Sequence, residues 1–514
     1  MRWQNYISQS SLRRLKIALC LFMLACVGFF VFRTWHWPLV NDAPQISYLC
    51  FLMEHGMAPY RDIIEMNMPG TYLMHLTVMH TLGRGALAWR VFDLTILAAI
   101  SAAMIAIARP YSRLAGIYAA ALFVLFHGRD GEGQLGERDL VIAALLMVGY
   151  AFVFHALRSH RAWPMVVFGF CAGYAATIKP IPLPFTLLLL LAVVLTFRKR
   201  QKPWLPALLY GIAGYLVSFA IVAAFLVREH ALEAFLSDER TMLPFYSKLG
   251  GYGAHWMLEN STTSSISALA VLVFALMLAM RSWRTWEERA LLAGIGFGIF
   301  SYFIQQKGIP YHRYPMLAFL ILFGGIQFAK ALRERGTLRA MGVVGLAFMA
   351  VLAALYALTA ERRPWSQQVE GALTSDLNAL GGQQLSGHVQ CLQTSAECDT
   401  VLYRMGLVQA TGLSYDYFIF APQGGAAEEK SRAHFWQQLQ SNPPEVIVVG
   451  VGLYPRPVTG YAKLASWPLF SDYLTSGYRL YDDRSFPTFE SRPLAYRIYV
   501  RKAGATLSQS ASNK

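Results

Sequence analysis

The sequence predicts a polytopic α-helical membrane protein of about eleven transmembrane helices, residues 1–360, followed by a C-terminal soluble α/β domain, residues 361–514. Three observations carry that prediction. Of 514 residues, 55% are hydrophobic and only 15% charged, against about 25% charged in soluble domains, and mean hydropathy is +0.37. The apolar residues gather in runs long enough to cross a bilayer, where about 20 helical residues at 1.5 Å each are needed. The net charge of +15 is uneven, +14 over residues 1–360 and +1 over 361–514. Such a chain is too apolar for disorder and too long for a disulfide-stapled mini-domain. The basic excess follows the positive-inside rule of membrane proteins rather than marking a nucleic-acid surface.

The apolar runs span 15–33, 87–108, 111–127, 139–157, 162–178, 181–197, 204–227, 264–280, 290–306, 314–329 and 340–359. The first is an anchor and not a cleavable signal, because Phe32, Arg33, Thr34 and Trp35 follow it in place of small residues. Residues 71–82 are apolar but short, with His75 and His80, which suits an interfacial helix. With the N-terminus in the cytoplasm, the inner connections hold 19 Lys and Arg, and the longer outer ones hold 10. That bias predicts a multi-pass protein of the plasma (inner) membrane with an extracytoplasmic tail. Acidic residues lean outward, 13 against 3, so carboxylates and scattered cations share the outer face.

In the tail, Trp365–Leu380, Glu428–Leu439 and Phe470–Thr475 suggest helices. Val389–Leu392, Phe418–Phe420, Val446–Val449 and Tyr496–Val500 suggest strands. Their alternation favours a layered α/β arrangement. Cys391 and Cys398 in this outer part suit a disulfide, with two free thiols as the other reading. Cys20, Cys26, Cys50 and Cys171 belong to the membrane part, where cysteine acts as a small hydrophobe. No C-x-x-C or H-E-x-x-H spacing marks a metal site.

Four outer segments carry candidate chemistry. Asp42 follows the first run, in a stretch that Pro38 and Pro44 keep from regular helix. A carboxylate at the membrane boundary is placed to serve as a general base, or is simply a solvated loop residue. The second loop sets Glu137, Arg138 and Asp139 at the start of a helix. An acid there complements the macrodipole; Arg138 does not, and so needs a partner. Lys179 lies between two apolar runs, where it snorkels or pairs with an anion such as a phosphate. Lys307, Tyr311, His312 and Arg313 cluster between two further runs and suggest an anion site. Residues 228–263 are long enough for an amphipathic lid or a plain connector.

The order of these elements resembles the membrane glycosyltransferases of the GT-C fold that use polyprenyl-phosphate sugars. That group includes protein O-mannosyltransferases and the aminoarabinose transferases of lipid A. The resemblance covers residues 15–330. It rests on Asn41-Asp42, Tyr60-Arg61-Asp62, Met68-Pro69-Gly70, Glu137-Arg138-Asp139, Lys179-Pro180 and Tyr311-His312-Arg313-Tyr314-Pro315. It implies an inverting transfer of a sugar from a polyprenyl-phosphate donor to a lipid, glycan or protein acceptor at the outer face, among membrane lipids. Asp42 matches the family's base, with Glu137 and Asp139 as further catalytic candidates. Arg138, Lys179, Lys307, Tyr311, His312 and Arg313 are the candidates for substrate binding. Divalent-metal use varies in the group, so a metal stays an open option here. Two departures stand out: Asn41-Asp42 replaces the usual Asp-Glu, and Met68 stands where several members carry Lys. The competing expectation is a non-enzymatic flippase or transporter of lipid-linked glycans. Such proteins place ionisable groups at the bilayer midplane, and here Asp93 is the one acid deep in an apolar run.

Overall fold

The computed structural model describes residues 9–261, 263–360, 365–393, 397–421, 425–454, 460–489 and 492–503. Its membrane-type part opens with α1 (Gln9–Thr34), α2 (Asp42–Glu54), α3 (Pro69–Thr81), α4 (Ala86–Ala108) and α5 (Arg113–Asp130). It continues with α6 (Arg138–Ser159), α7 (Pro164–Ile178), α8 (Pro182–Lys199), α9 (Trp204–Arg228) and α10 (Leu232–Lys248). It ends with α11 (Ala254–Ser261), α12 (Ser264–Met280), α13 (Trp286–Gln305), α14 (Tyr314–Ala331) and α15 (Thr337–Leu358). The eleven apolar runs fall on α1, α4 to α9 and α12 to α15. Among the described residues, seven helices are long and apolar enough to cross a membrane; α7 and α12 are apolar but shorter.

The bundle is built around α5 and α14, most of whose side chains are buried. Prolines set several helix starts. Pro69, Pro164 and Pro182 each occupy a first-turn position, where a missing N–H costs nothing. Helices α7 and α9 cross so closely that a Cβ on Gly169 would lie 2.0 Å from the Gly211 carbonyl oxygen; small residues permit such backbone contact. Peripheral faces expose Leu188 and Leu191 on α8 and Leu209 and Leu216 on α9.

The tail comprises α16 (Trp365–Ala379), β1 (Val389–Leu392), α17 (Glu397–Met405), α18 (Tyr417–Phe420), α19 (Ala426–Ser441), β2 (Val446–Gly450), α20 (Pro468–Gly477), β3 (Tyr478–Phe489) and β4 (Arg492–Arg501). Its sheet runs β1-β2-β4-β3. β1 and β2 are parallel, and β4 is antiparallel to both β2 and β3. Cys391 and Cys398 are disulfide-bonded, joining β1 to α17.

One expectation is corrected here, and one strand was not foreseen. Phe418–Phe420 is helical, not a strand: the Ile419 and Phe420 amides both turn back to the Asp416 carbonyl. A three-residue apolar run has no period to separate the two states. β3 was absent from the expected strands because it carries Asp482, Asp483 and Arg484; charges of this kind belong on an edge strand, where they oppose further pairing.

Candidate active site

Three connections between helices converge on Asp42. Asn41 precedes it with φ +63° and ψ −135°, a positive-φ backbone that residues with a side chain seldom adopt. Its Nδ2 donates to the Gly133 carbonyl at 2.9 Å, tying the first outer loop to the second. Asp42 thereby starts α2, whose residues from Ala43 to Met53 are buried. Its carboxylate is itself partly exposed; Oδ2 accepts from Tyr311 Oη at 2.9 Å and from an Arg138 guanidinium nitrogen at 3.4 Å. The other terminal nitrogen of Arg138 donates to Asn67 Oδ1. Arg138 thus has the partners that its place at a helix start demands.

The remaining second-loop acids take different roles. Asp139 Oδ2 accepts from Lys179 Nζ at 2.5 Å and lies 4.0 Å from His312 Nε2. Lys179 also donates to Gln305 Oε1 at 2.9 Å. Lys179 lies at the corner between α7 and α8, since Pro180 disfavours helix at the residue before it. Burial pushes its ammonium below the usual lysine range, with Asp139 opposing that shift. Glu137 is 1% exposed, and neither carboxylate oxygen has a hydrogen-bond partner. Burial, reinforced by the charge of Asp42, holds its carboxyl well above the ordinary range. Both influences favour the protonated form of Glu137.

The structure does not bring all the predicted cations to this point. Lys307 donates to the carbonyls of Tyr246 and Leu249 at the end of α10, and its Nζ lies 4.5 Å from the Tyr246 ring centre. Burial lowers its ammonium to about 8. Arg313 bonds both oxygens of Asp130 at 3.0 and 3.1 Å. Behind Asp130, Asp93 pairs with Arg90 at 2.5 Å and His127 at 3.0 Å, and His127 meets Tyr314 Oη at 2.9 Å. The intramembrane acid is thus enclosed in an ion-pair network.

Sequence reasoning passed over Asn67, Gln305 and Glu65. Glu65 is buried at 1% exposure and accepts from Ser414 Oγ at 2.6 Å, a residue of the tail. Burial raises its carboxyl above the usual range, and Ser414 opposes that. The one available signal was acidity in the first loop, which does not distinguish Glu65 from Glu54 or Asp62. Among the described residues, no group of three or more His, Cys, Asp or Glu side chains is placed to hold a metal ion.

No protein-family model matches the chain, and no curated protein matches it by sequence. Solved structures do match. The crystal structure of ArnT from Cupriavidus metallidurans bound to undecaprenyl phosphate shares 14% identity at TM-score 0.55, covering 97% of this chain and 99% of that one. The same enzyme in the apo state gives 0.54 at 14% identity, covering 95% and 98%. The apo oligosaccharyltransferase of Archaeoglobus fulgidus shares 11% identity at TM-score 0.50, covering 90% of this chain and 73% of that one. These are glycosyltransferases of the GT-C fold, the first of them bound to undecaprenyl phosphate, and the chain that builds the Asp42 site has their fold.

Proposed function

We propose that the protein is a multi-pass inner-membrane glycosyltransferase. It moves a sugar from a polyprenyl phosphate to a hydroxyl-bearing lipid, glycan or protein acceptor at the outer face. The observation that carries this reading is the setting of Asp42: one partly exposed carboxylate, held by Tyr311 and Arg138, next to the buried Lys179–Asp139 pair. Asp42 takes the proton of the acceptor hydroxyl as its oxygen bonds to the anomeric carbon. The bond from that carbon to the lipid phosphate breaks on the opposite face, which inverts the centre. Charge grows on the departing phosphate, and Arg138 and Lys179 are the cations placed to stabilise it. Lys307, bonded at the end of α10, and Arg313, bonded to Asp130, stand outside this first contact, whereas His312 lies beside Asp139.

Lys179 also accounts for the missing cation at Met68. The Pro69-Gly70 turn lies against the end of α7: a Cβ on Gly70 would lie 2.3 Å from Thr177 Oγ1. Lys179 is two residues beyond Thr177 and thus borders the same turn. The Asp93–Arg90–His127 network gives no support to the transporter reading, since its charges are mutually paired. The test is Asp42→Asn in purified protein with a labelled polyprenyl-phosphate sugar. Transfer falls by about 10²–10⁴-fold, the usual worth of a positioned base, while insertion and folding persist. Undiminished transfer removes Asp42 from the role.

A further inference from the structure

The tail reaches into the first outer loop through one short segment. Ile64 N–H donates to the Gly412 carbonyl at 2.8 Å, and Ile64 pairs with Leu413 as a parallel bridge. Gln438 spans both sides: its Oε1 accepts from the Gly412 N–H at 2.9 Å, and its Nε2 donates to the Asp62 carbonyl at 2.7 Å. Ser414 Oγ lies 2.9 Å from the Ile64 carbonyl and 2.6 Å from Glu65 Oε2. The approach is close enough that a Cβ on Gly412 would lie 1.9 Å from the Asp62 carbonyl oxygen. Ile64 is packed in the tail's own core, with Leu413, Tyr417 and Phe418.

From this clamp a continuous chain of bonds leads to the site. Glu65 Oε1 accepts from the Met66 N–H at 2.7 Å, and Tyr60 Oη donates to the Asn67 carbonyl at 2.5 Å. Asn67 Oδ1 accepts from Arg138, whose other nitrogen faces Asp42. Other tail contacts, Tyr48 Oη to the Leu407 carbonyl at 3.1 Å and Arg404 to the Leu39 carbonyl at 3.2 Å, dock the tail independently. The Ser414 contact is therefore not needed merely to hold the tail in place.

We infer that the tail segment Thr411–Tyr417 is a positioning element of the transfer site: by gripping residues 62–65 through Gly412 and Ser414, it sets Asn67, and through Asn67 the guanidinium of Arg138 against Asp42. This rests on the transfer reading for its catalytic consequence, though not for its geometry. Misplacing a reacting geometry by about 1 Å costs up to about 100-fold in rate, so a remote serine has leverage on turnover.

The experiment uses the full-length protein in lipid nanodiscs, as Ser414→Ala, Ser414→Thr and wild type. Backbone hydrogen exchange is measured over residues 62–67, and transfer kinetics with a labelled polyprenyl-phosphate sugar. Ser414→Ala is expected to speed exchange of Ile64 to Asn67 and to lower kcat between about 10- and 100-fold, with donor KM within twofold of wild type and thermal midpoint nearly unchanged. Ser414→Thr keeps the hydroxyl and restores both readouts. Wild-type exchange and kcat in Ser414→Ala overturn the inference, as does a kcat loss that only follows a fall in folded fraction. If the wild-type chain transfers no sugar, the transfer reading fails; the exchange arm still decides whether Ser414 orders Asn67.

Discussion

Lys179 is the residue whose environment leaves least freedom. Its ammonium and Asp139 form a buried pair at 2.5 Å, and removing one partner of such a pair leaves an uncompensated charge costing about 3–5 kcal/mol. Lys179→Met alone therefore confounds folding with catalysis. The double variant Lys179→Met with Asp139→Asn relieves that charge, so its thermal midpoint should return toward wild type. Its transfer rate should stay down by about 10²–10³-fold, the cost of losing one preorganised group facing developing charge. Recovery of transfer together with stability would assign the phosphate to another cation. At this scale much was legible: Asp42, Glu137, Arg138, Asp139 and Lys179 are all ionisable residues in or at the edge of the connections between apolar runs, and the structure brings them near one another. Arg138 announced its need for a partner by standing at a helix start. Legibility stopped at neutral residues. Asn67 and Gln305 matter because of what they bond, and no composition rule marks an amide by its future neighbour. Glu137 was visible as an acid, but the burial that favours its protonated form is supplied only by the fold.

Among elements, α10 is the strap between site and tail. Its C-terminal carbonyls hold Lys307, cations being favoured at that end of a helix. Met242 and the adjoining Leu249 sit in the tail's core, and Asp238 pairs with Lys430 of α19 at 2.5 Å. The next residue, Glu239, is raised to about 7 by burial and by the charge of Asp238. Below the free-glutamate value of about 4.3 it is neutral in both folded and unfolded chain. Between there and 7 the unfolded chain ionises first, so stability declines as pH rises through that window and the loss is complete above it. Glu239→Gln should flatten this decline, read as the thermal midpoint of the purified protein from pH 4.5 to 8; an unchanged slope would show that the carboxyl ionises freely. The sequence offered 228–263 as lid or connector without choosing, because an amphipathic helix looks the same whatever covers its apolar face. Long apolar helices were legible from their length alone, whereas β3 was hidden by its exposed charges and Phe418–Phe420 by being too short for a period.

At the scale of the molecule, the unequal charge of the two parts matches a division of labour between a helical bundle and a tail that closes over its outer loops. Asp42, Glu137, Lys179 and Tyr311 come from four separate connections, and all four were assigned to one side by counting Lys and Arg. The bonds of Asp42 with Tyr311 and Arg138, and of Lys179 with Asp139, support that assignment, since segments on opposite sides of a bilayer about 30 Å thick cannot meet. What the count could not foresee is the tail's entry into the site, because Ser414 and Glu65 are 349 positions apart and nothing local links them. The disulfide between Cys391 and Cys398 points to an oxidising compartment for the tail. A reporter enzyme that folds only outside the cytoplasm, fused after residue 514, should be active. The same reporter inserted at 198–202, among the basic residues that end α8, should be inactive. The reverse pattern would turn the whole molecule over, placing Asp42 and its donor on the cytoplasmic face. Activity at both positions would mean that the bundle has an even number of crossings between them, and that the shorter apolar helix lying there, α12, does not span.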